Sequence, residues 1–121
     1  MTHEYPREQR ITQRSEFHKL SREGKRVRTL DLDVRSLASP LGYVRAGVIV
    51  PRYGQTAVAR NKLKRRLCEL VRKLVLPLQI SCDTVIRCRP GAYERTFAQL
   101  QDQVGILHSA LQQKFSAGGD A

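Results

Sequence analysis

The sequence RNKLKRRLCELVRK, residues 60–73, contains seven Lys or Arg residues and a single acid, Glu69. Four leucines in and just after it are spaced by four, three and four residues: Leu63, Leu67, Leu70 and Leu74. Side chains with this spacing share one face of a helix. The pattern therefore predicts an amphipathic helix from about Ala57 to Leu76, ended by Pro77.

The basic side chains of this helix fall mainly on the face opposite the leucines. That face carries Lys62, Arg65, Arg66, Arg72 and Lys73, whereas Arg60 and Lys64 are predicted at the edge of the leucine stripe, partly held by packing. A charge run of this kind is typical either of a solvated helix face or of a surface that binds a polyanion. The helix alone does not decide between the two.

Composition and charge favour the polyanion. A chain of 121 residues with 40% hydrophobic content can bury the core of one domain. Its net charge of +11 and pI near 10.3 favour nucleic acid as a partner, and an anionic membrane surface less strongly. Residues 1–28 hold eight basic residues against four acids, whereas residues 90–121 hold only Arg95 and Lys114 against three acids. The partner is therefore expected at the first two-thirds of the chain.

The rest of the pattern predicts one α+β domain. Ser15 is expected to cap a first helix that ends at Gly24 in a left-handed conformation. Alternating residues predict strands at 30–35 and 44–50, paired as an antiparallel hairpin through the turn at 39–42. A strand at 82–89 and a helix from about Thr96 follow; the helix has the apolar stripe Phe97, Leu100, Val104, Leu107 and Leu111. The chain thus divides into a basic N-terminal extension (1–14), the domain (15–115) and a flexible tail (116–121).

Nothing in the sequence is typical of a metal site or a catalytic triad. The cysteines are odd in number, lack CxxC spacing and are interpreted as reduced core residues: Cys68, Cys82 and Cys88. The histidines are far apart: His3, His18 and His108. The N-terminus has no signal-peptide core and no segment has the length of a membrane span, so a cytoplasmic protein is expected.

The segment AVARNKLKRRLCELVR (57–72) resembles the Arg-Asn-Arg signature of the protein subunit of bacterial ribonuclease P. Three more segments agree with that family in order and spacing: RSEFHKLSREGKRV (14–27), RAGVIVP (45–51) and DTVIRCRPGA (83–92). The resemblance implies a four-stranded sheet packed with helices, similar to a ribosomal-protein domain. It also implies that the signature helix lies in a left-handed crossover between parallel strands, against the usual right-handed rule.

The resemblance further implies a function. The family assists a catalytic RNA that removes the 5′ leader from precursor tRNA, and that RNA with its bound Mg²⁺ carries out the hydrolysis. No catalytic or metal-binding residue is therefore expected in this chain, no cofactor is expected to be bound by its residues, and the protein alone is expected to be inactive. The expected partners are the catalytic RNA and precursor tRNA; the oligomeric state is left open.

Two sets of site residues follow from the resemblance. The signature positions and their extension are expected to contact the catalytic RNA's backbone: Arg60, Asn61, Lys62, Lys64, Arg65 and Arg66. Lys62 replaces the usual second Arg, which keeps the charge but loses the bidentate fork. A cleft between the first helix and the sheet is expected to bind the leader: Phe17, Arg35, Arg52 and Arg89. Ser21 and Arg35 stand where aromatic residues are usual, which makes the cleft more electrostatic than usual.

Plainer interpretations remain open at this stage. Phe17 could be an ordinary core residue, and Arg52 and Arg89 could be solvated charges at strand ends. A structural RNA-binding protein, such as a ribosomal one, would share the charge and perhaps the fold. A helix-turn-helix regulator is disfavoured because a proline and a strand follow the basic helix. A membrane-surface helix would need aromatic residues in its stripe, and a self-sufficient nuclease would need clustered acids or histidines.

Overall fold

The computed structural model describes residues 6–115 as a four-stranded sheet with three α-helices. In chain order the elements are α1 (Arg14–Glu23), β1 (Lys25–Arg28), β2 (Leu32–Ala38), β3 (Val44–Ile49), α2 (Ala57–Leu74), β4 (Cys82–Cys88) and α3 (Phe97–Phe115). Short 3-10 helices occur at Arg7–Gln9 and Pro90–Glu94. The predicted α+β class is confirmed. The predicted tail, 116–121, and the first five residues of the predicted extension lie outside the described residues.

The strands are ordered β1-β2-β4-β3, so that β4 lies inside the sheet. β2 pairs with β1 and with β4 in antiparallel fashion, and β3 pairs with β4 in parallel. Helix α2 connects the two parallel strands, as the resemblance implied. The left-handed sense of this crossover stays a prediction.

The predicted hairpin of strands 30–35 and 44–50 is wrong, because β4 lies between β2 and β3. Three consecutive buried residues in β4, Thr84 to Ile86, require cover on both faces and suit an interior strand. The actual hairpin joins β2 to β1, a strand that was not predicted. Its sequence KRVR contains one apolar residue, Val27, so it shows almost no alternation.

Helix α1 differs from the prediction at both ends. It begins at Arg14, with Gln13 at the N-cap position and no side-chain cap, so Ser15 lies within the first turn. Gly24 has a φ of −70° and is not left-handed. It is required for space instead, since a Cβ there would lie 2.5 Å from the Leu20 carbonyl oxygen and 3.1 Å from Arg35 Cβ. At Gly24, just before β1, the backbone therefore passes close to both α1 and β2.

One face of the sheet holds the main core and is covered by α2 and α3. The predicted stripes are confirmed, with Leu63, Leu67 and Leu70 buried on α2 and four stripe residues of α3 fully buried. Helix α2 ends at Leu74, two residues before the predicted end. Cys82 and Cys88 are buried and reduced in this core, whereas Cys68 is only half-buried.

The opposite face carries a smaller cluster under α1, formed by Ile11, Leu20 and Val85 with Phe17 beside them. From the predicted extension, Ile11 packs here, and its amide donates to the Ala46 carbonyl at 3.0 Å. On β3, Arg45 forms ion pairs with Glu16 of α1 at 2.9 Å and with Asp83 of β4 at 2.7 Å. Helix α1 is thus attached to the sheet by a few apolar contacts and one charge network.

A buried polar network attaches the turn between β1 and β2 to α3. Asp31, with a side chain only 4% exposed, accepts from Arg95 Nε at 2.6 Å and from Gln103 Nε2 at 2.7 Å. The Gln103 side-chain oxygen accepts from the Thr29 hydroxyl and from the Asp31 amide. Burial raises the pKa of Asp31, but the hydrogen bonds from Arg95 and Gln103 outweigh it, so the net pKa is lowered.

We expect Gly47→Ala to destabilise the fold by about 1–3 kcal/mol, because a Cβ at this position of β3 would lie 2.6 Å from Phe17 Cε1. Gly105→Ala is the matched control. Its Cβ would meet no atom within 4 Å, and alanine within a helix is more stabilising than glycine by about 0.5–1 kcal/mol. Urea denaturation of both variants measures the difference. Equal effects of the two substitutions would contradict the packing of Phe17 on Gly47.

We also expect Asp31→Asn to lower the free energy of unfolding by about 1–3 kcal/mol at neutral pH. Because the pKa of Asp31 is lower in the folded state than in the unfolded state, ionised Asp31 stabilises the fold at pH values above the unfolded pKa of about 3.9. This stabilisation is lost as the pH falls through the folded pKa. The gap between wild type and variant should therefore narrow below about pH 4. Denaturant unfolding from pH 7 to pH 2.5 measures it, with the exposed Asp102→Asn as control; a gap of constant size would refute the assignment.

Candidate nucleic-acid interface

The start of helix α2 is arranged to favour an anion. Thr56 caps the helix, with its hydroxyl accepting from the Ala59 amide at 3.1 Å, and the first turn contains no acid to offset the positive end of the helix dipole. Arg60 is half-buried and its Nε donates to the Val50 carbonyl at 2.9 Å. Arg60 therefore also fixes the start of α2 to the end of β3.

The predicted RNA-binding residues form one continuous basic face on α2. Asn61, Lys62 and Arg65 are exposed, whereas Lys64 and Arg66 are half-buried on opposite flanks of the helix. The prediction that Arg60 and Lys64 lie near the stripe's edge is confirmed. Further along, Arg72 pairs with Glu69 at 2.7 Å, so its charge is partly neutralised. Most of the basic residues of α2 that form no described ion pair therefore lie between Arg60 and Arg66.

A concavity lies on each flank of α2. On the β3 side, a cavity of about 400 Å³ is lined by Arg10, Lys64 and Cys68 together with backbone of β3. On the other side, a cavity of about 180 Å³ separates α2 from the 3-10 helix Pro90–Glu94 and is lined by Lys62 and Arg66. The basic face of α2 thus extends into two shallow depressions.

A third cavity lies on the opposite side of the sheet, between α1 and the strands. It has a volume of about 260 Å³, and its wall is formed by Phe17, His18, Ser21, Asp33, Arg35, Ile49, Val85 and Arg87. Phe17 both packs in the small cluster and lines this cavity. Arg35 donates from Nη1 to the Ser21 carbonyl at 3.3 Å, which holds its guanidinium across the gap between β2 and α1. The structure therefore brings Phe17 and Arg35 together as predicted.

The register of the strands explains why this cavity is basic. Residues paired across neighbouring strands share a face, and one such row contains Arg28, Asp33, Arg87 and Ile49. The adjacent row, about 6.8 Å away along the strands, contains Arg26, Arg35, Val85 and Gly47. These rows therefore hold four arginines and one acid. Asp33 pairs with Arg26 at 2.9 Å, and hydrogen bonding from Arg26 lowers the pKa of Asp33.

Arg87 was missed by the sequence reasoning, although a signal was present. Period-two alternation in β4 puts it on the face opposite the fully buried Ile86 and Cys88. Arg26 and Arg28 could not be found in this way, because their strand was not predicted. Arg87 is exposed and lines the cavity with Phe17, which makes it the clearest addition to the predicted cleft.

Arg52 and Arg89 do not line this cavity. The Nε of Arg52 donates to the Gln55 carbonyl at 3.4 Å, and the charge of Arg52 acts on the Tyr93 hydroxyl. The charge of Arg89 acts on Asp31. Arg52 follows β3 and Arg89 follows β4. Because these two strands are parallel, both residues lie at the end of the sheet where α2 begins. Their role in binding the leader stays a prediction.

The three cysteines lie where burial disfavours their thiolate forms. Burial raises the pKa of Cys82 to about 12 and of Cys88 to about 11, and it also raises that of Cys68, which keeps the thiols protonated. Within residues 6–115, no group of three His, Cys, Asp or Glu side chains could hold a metal ion. None of the helices in that range is long and apolar enough to cross a membrane.

Comparisons with known proteins agree with the geometry. A family model described as Ribonuclease P matches residues 5–112. The ribonuclease P protein component of Streptomyces avermitilis is 33% identical, over 93% of this chain and 97% of that protein. That of Micrococcus luteus is 32% identical, over 95% and 97%.

Solved structures show the same fold. The RNase P protein from Thermotoga maritima superposes with a TM-score of 0.72 and 26% identity, covering 81% of this chain and 93% of that one. A Staphylococcus aureus RNase P protein superposes with a TM-score of 0.76, covering 86% of this chain and 95% of that one. At 24% identity it supports the fold alone.

Proposed function

The chain belongs to the ribonuclease P protein family, and we propose that it uses two separate surfaces, one for the catalytic RNA and one for the 5′ leader of precursor tRNA. It is the protein component of a ribonucleoprotein endoribonuclease with a role in tRNA 5′ maturation, and its partner is the ribonuclease P RNA. The observation that carries the proposal is the position of two basic surfaces on opposite faces of one sheet.

The basic face of α2 is suited to a folded RNA. Its side chains are fixed to a rigid helix, and they offer charges and one amide to phosphates and sugars at a constant spacing. Such contacts position an RNA without reading its sequence. We therefore assign this face, with Arg60, Asn61, Lys62, Lys64, Arg65 and Arg66, to assembly with the catalytic RNA.

The cavity under α1 is suited to a single strand. A half-buried ring, Phe17, offers a surface for stacking, and Arg35 and Arg87 offer guanidinium groups for phosphates and for stacking. With a volume of about 260 Å³, the cavity has room for a few groups of a single strand and not for a duplex. We therefore assign it to the unpaired leader of precursor tRNA.

Hydrolysis is assigned to the RNA subunit and the Mg²⁺ that this subunit requires. The described surfaces offer mainly cations and amides, which bind phosphates, and a ring for stacking. His18 and Asp33 also line the cavity under α1, and Asp33 is held in an ion pair with Arg26. The protein supplies charge neutralisation, which lets two RNAs approach each other at lower Mg²⁺. We also propose a cytoplasmic location, because that is where precursor tRNA is made.

Two exposed arginines provide a matched test, because neither is needed for packing. Arg87→Gln should weaken binding of precursor tRNA to the assembled holoenzyme by about tenfold, the value of one charge-assisted hydrogen bond. It should not change the affinity of the holoenzyme for mature tRNA, which has no leader, or the affinity of the protein for the catalytic RNA. Arg65→Gln should instead weaken binding to the catalytic RNA. Filter binding with the three RNAs measures all of these affinities.

The pair also serves as its own control, since each variant loses one exposed positive charge. If both variants weakened both interactions equally, the two surfaces would not be separate and the proposal would fail. Phe17→Ala adds a further comparison, with a loss of about 1–3 kcal/mol in binding precursor tRNA only. Its thermal unfolding must be measured alongside, because Phe17 also packs on Gly47.

A further inference from the structure

The cavity of about 180 Å³ beside α2 is lined by a basic side chain, Arg95, that the charge distribution along the chain did not indicate. Arg95 lies in the last third of the chain, which has few basic residues, yet the fold brings it to the same depression as Lys62 and Arg66. These three cations come from two different elements. The sequence separation of 29 residues between Arg66 and Arg95 hides this cluster from any linear count.

Arg95 is held in a fixed orientation. Its Nε donates to Asp31 Oδ2 at 2.6 Å and its Nη2 lies 3.4 Å from Asp31 Oδ1, so one side of the guanidinium is bound to a buried carboxylate. Gln103 in turn holds that carboxylate from α3. No described residue accepts a hydrogen bond from Arg95 Nη1. A planar guanidinium bound along one edge presents its remaining N–H groups in a fixed direction.

The other sides of the depression are also fixed and carry unneutralised charge. Tyr93, in the 3-10 helix, donates from its hydroxyl to the Pro51 carbonyl at 2.7 Å, which attaches that wall to the end of β3. Among residues 6–115, no ion pair engages Lys62 or Arg66. Asp31 neutralises one charge of the three and the charge of Glu94 also acts on Arg95, so three cations face two acids and the balance stays positive.

We propose that Lys62, Arg66 and Arg95 form a phosphate-binding site for the backbone of the catalytic RNA, with Arg95 oriented by Asp31. The proposal rests on the assignment of α2 to the catalytic RNA and extends that surface to the 3-10 helix. A fixed guanidinium can donate two hydrogen bonds to one phosphate, whereas the two side chains of α2 supply charge from the opposite wall. At this site Arg95 supplies the directed hydrogen bonds that Lys62, as an ammonium, cannot.

The test compares Arg95→Gln with Lys114→Gln in binding to the catalytic RNA over a series of salt concentrations. Lys114 is an exposed cation near the far end of α3, about 26 Å from the start of that helix, so it controls for net charge. Arg95→Gln should weaken binding about tenfold and make the slope of log affinity against log salt shallower by about 0.7 to 0.9. Lys114→Gln should change neither. Arg95→Lys should restore the slope but only part of the affinity.

A second measurement uses the wild-type protein and so does not depend on the variant's folding. Phenylglyoxal modifies accessible arginines, and mass spectrometry should show that the catalytic RNA protects Arg95 while precursor tRNA alone does not. An Arg95 equally reactive with and without the catalytic RNA would overturn the proposal. So would an Arg95→Gln variant that loses stability but binds the RNA like wild type, since Arg95 would then be only a partner for Asp31.

Failure of this site can be distinguished from failure of the assignment of α2. If Arg95→Gln had no effect while Arg65→Gln weakened binding, the RNA surface would end at α2 and only the proposed extension would be wrong. If neither substitution had an effect, the assignment of α2 itself would be wrong and the extension with it.

Discussion

The parallel pairing of β3 with β4 is the constraint on which the rest of the structure depends. Parallel strands require a crossover connection, and here that connection is α2, whose leucine stripe must pack on one face of the sheet. With α3 beside it, α2 closes that face and presents its basic side outward. The other face is left to α1, which has only ten residues and leaves part of the arginine rows uncovered. Both surfaces thus result from one pairing.

Three hydrogen bonds fix the end of the sheet where β3 and β4 finish. Arg60 is fixed there to the Val50 carbonyl, and Tyr53 and Tyr93 donate hydroxyl hydrogen bonds to the carbonyls of Cys88 and Pro51. These contacts fix the beginning of α2 relative to the strand ends. A bound leader and a bound RNA subunit would therefore be held at a constant distance by the protein, which is what a positioning subunit requires.

The sequence was sufficient to predict the elements with strong patterns, and the failures have physical reasons. Helices α2 and α3 each have a clear apolar period, so their positions and buried faces were predicted. Strand β4 was predicted as a strand, without its buried faces. Strand order could not be read in the same way, because nothing local in β2 or β3 shows that β4 inserts between them. Lys25–Arg28 has too few apolar residues to show alternation. Arg95 joined the candidate site only through folding, since its partners Lys62 and Arg66 lie on another element.

The most direct measurement of the central claim is reconstitution of this protein with the ribonuclease P RNA of the same cell, followed by cleavage of precursor tRNA at low Mg²⁺. The protein is expected to stimulate cleavage strongly at low Mg²⁺ and to be inactive without the RNA, because it supplies charge and position and the RNA supplies the catalytic centre. Cleavage by the protein alone, abolished by substitution of a single Asp or Glu, would contradict this account. So would the absence of any stimulation in the presence of bound protein.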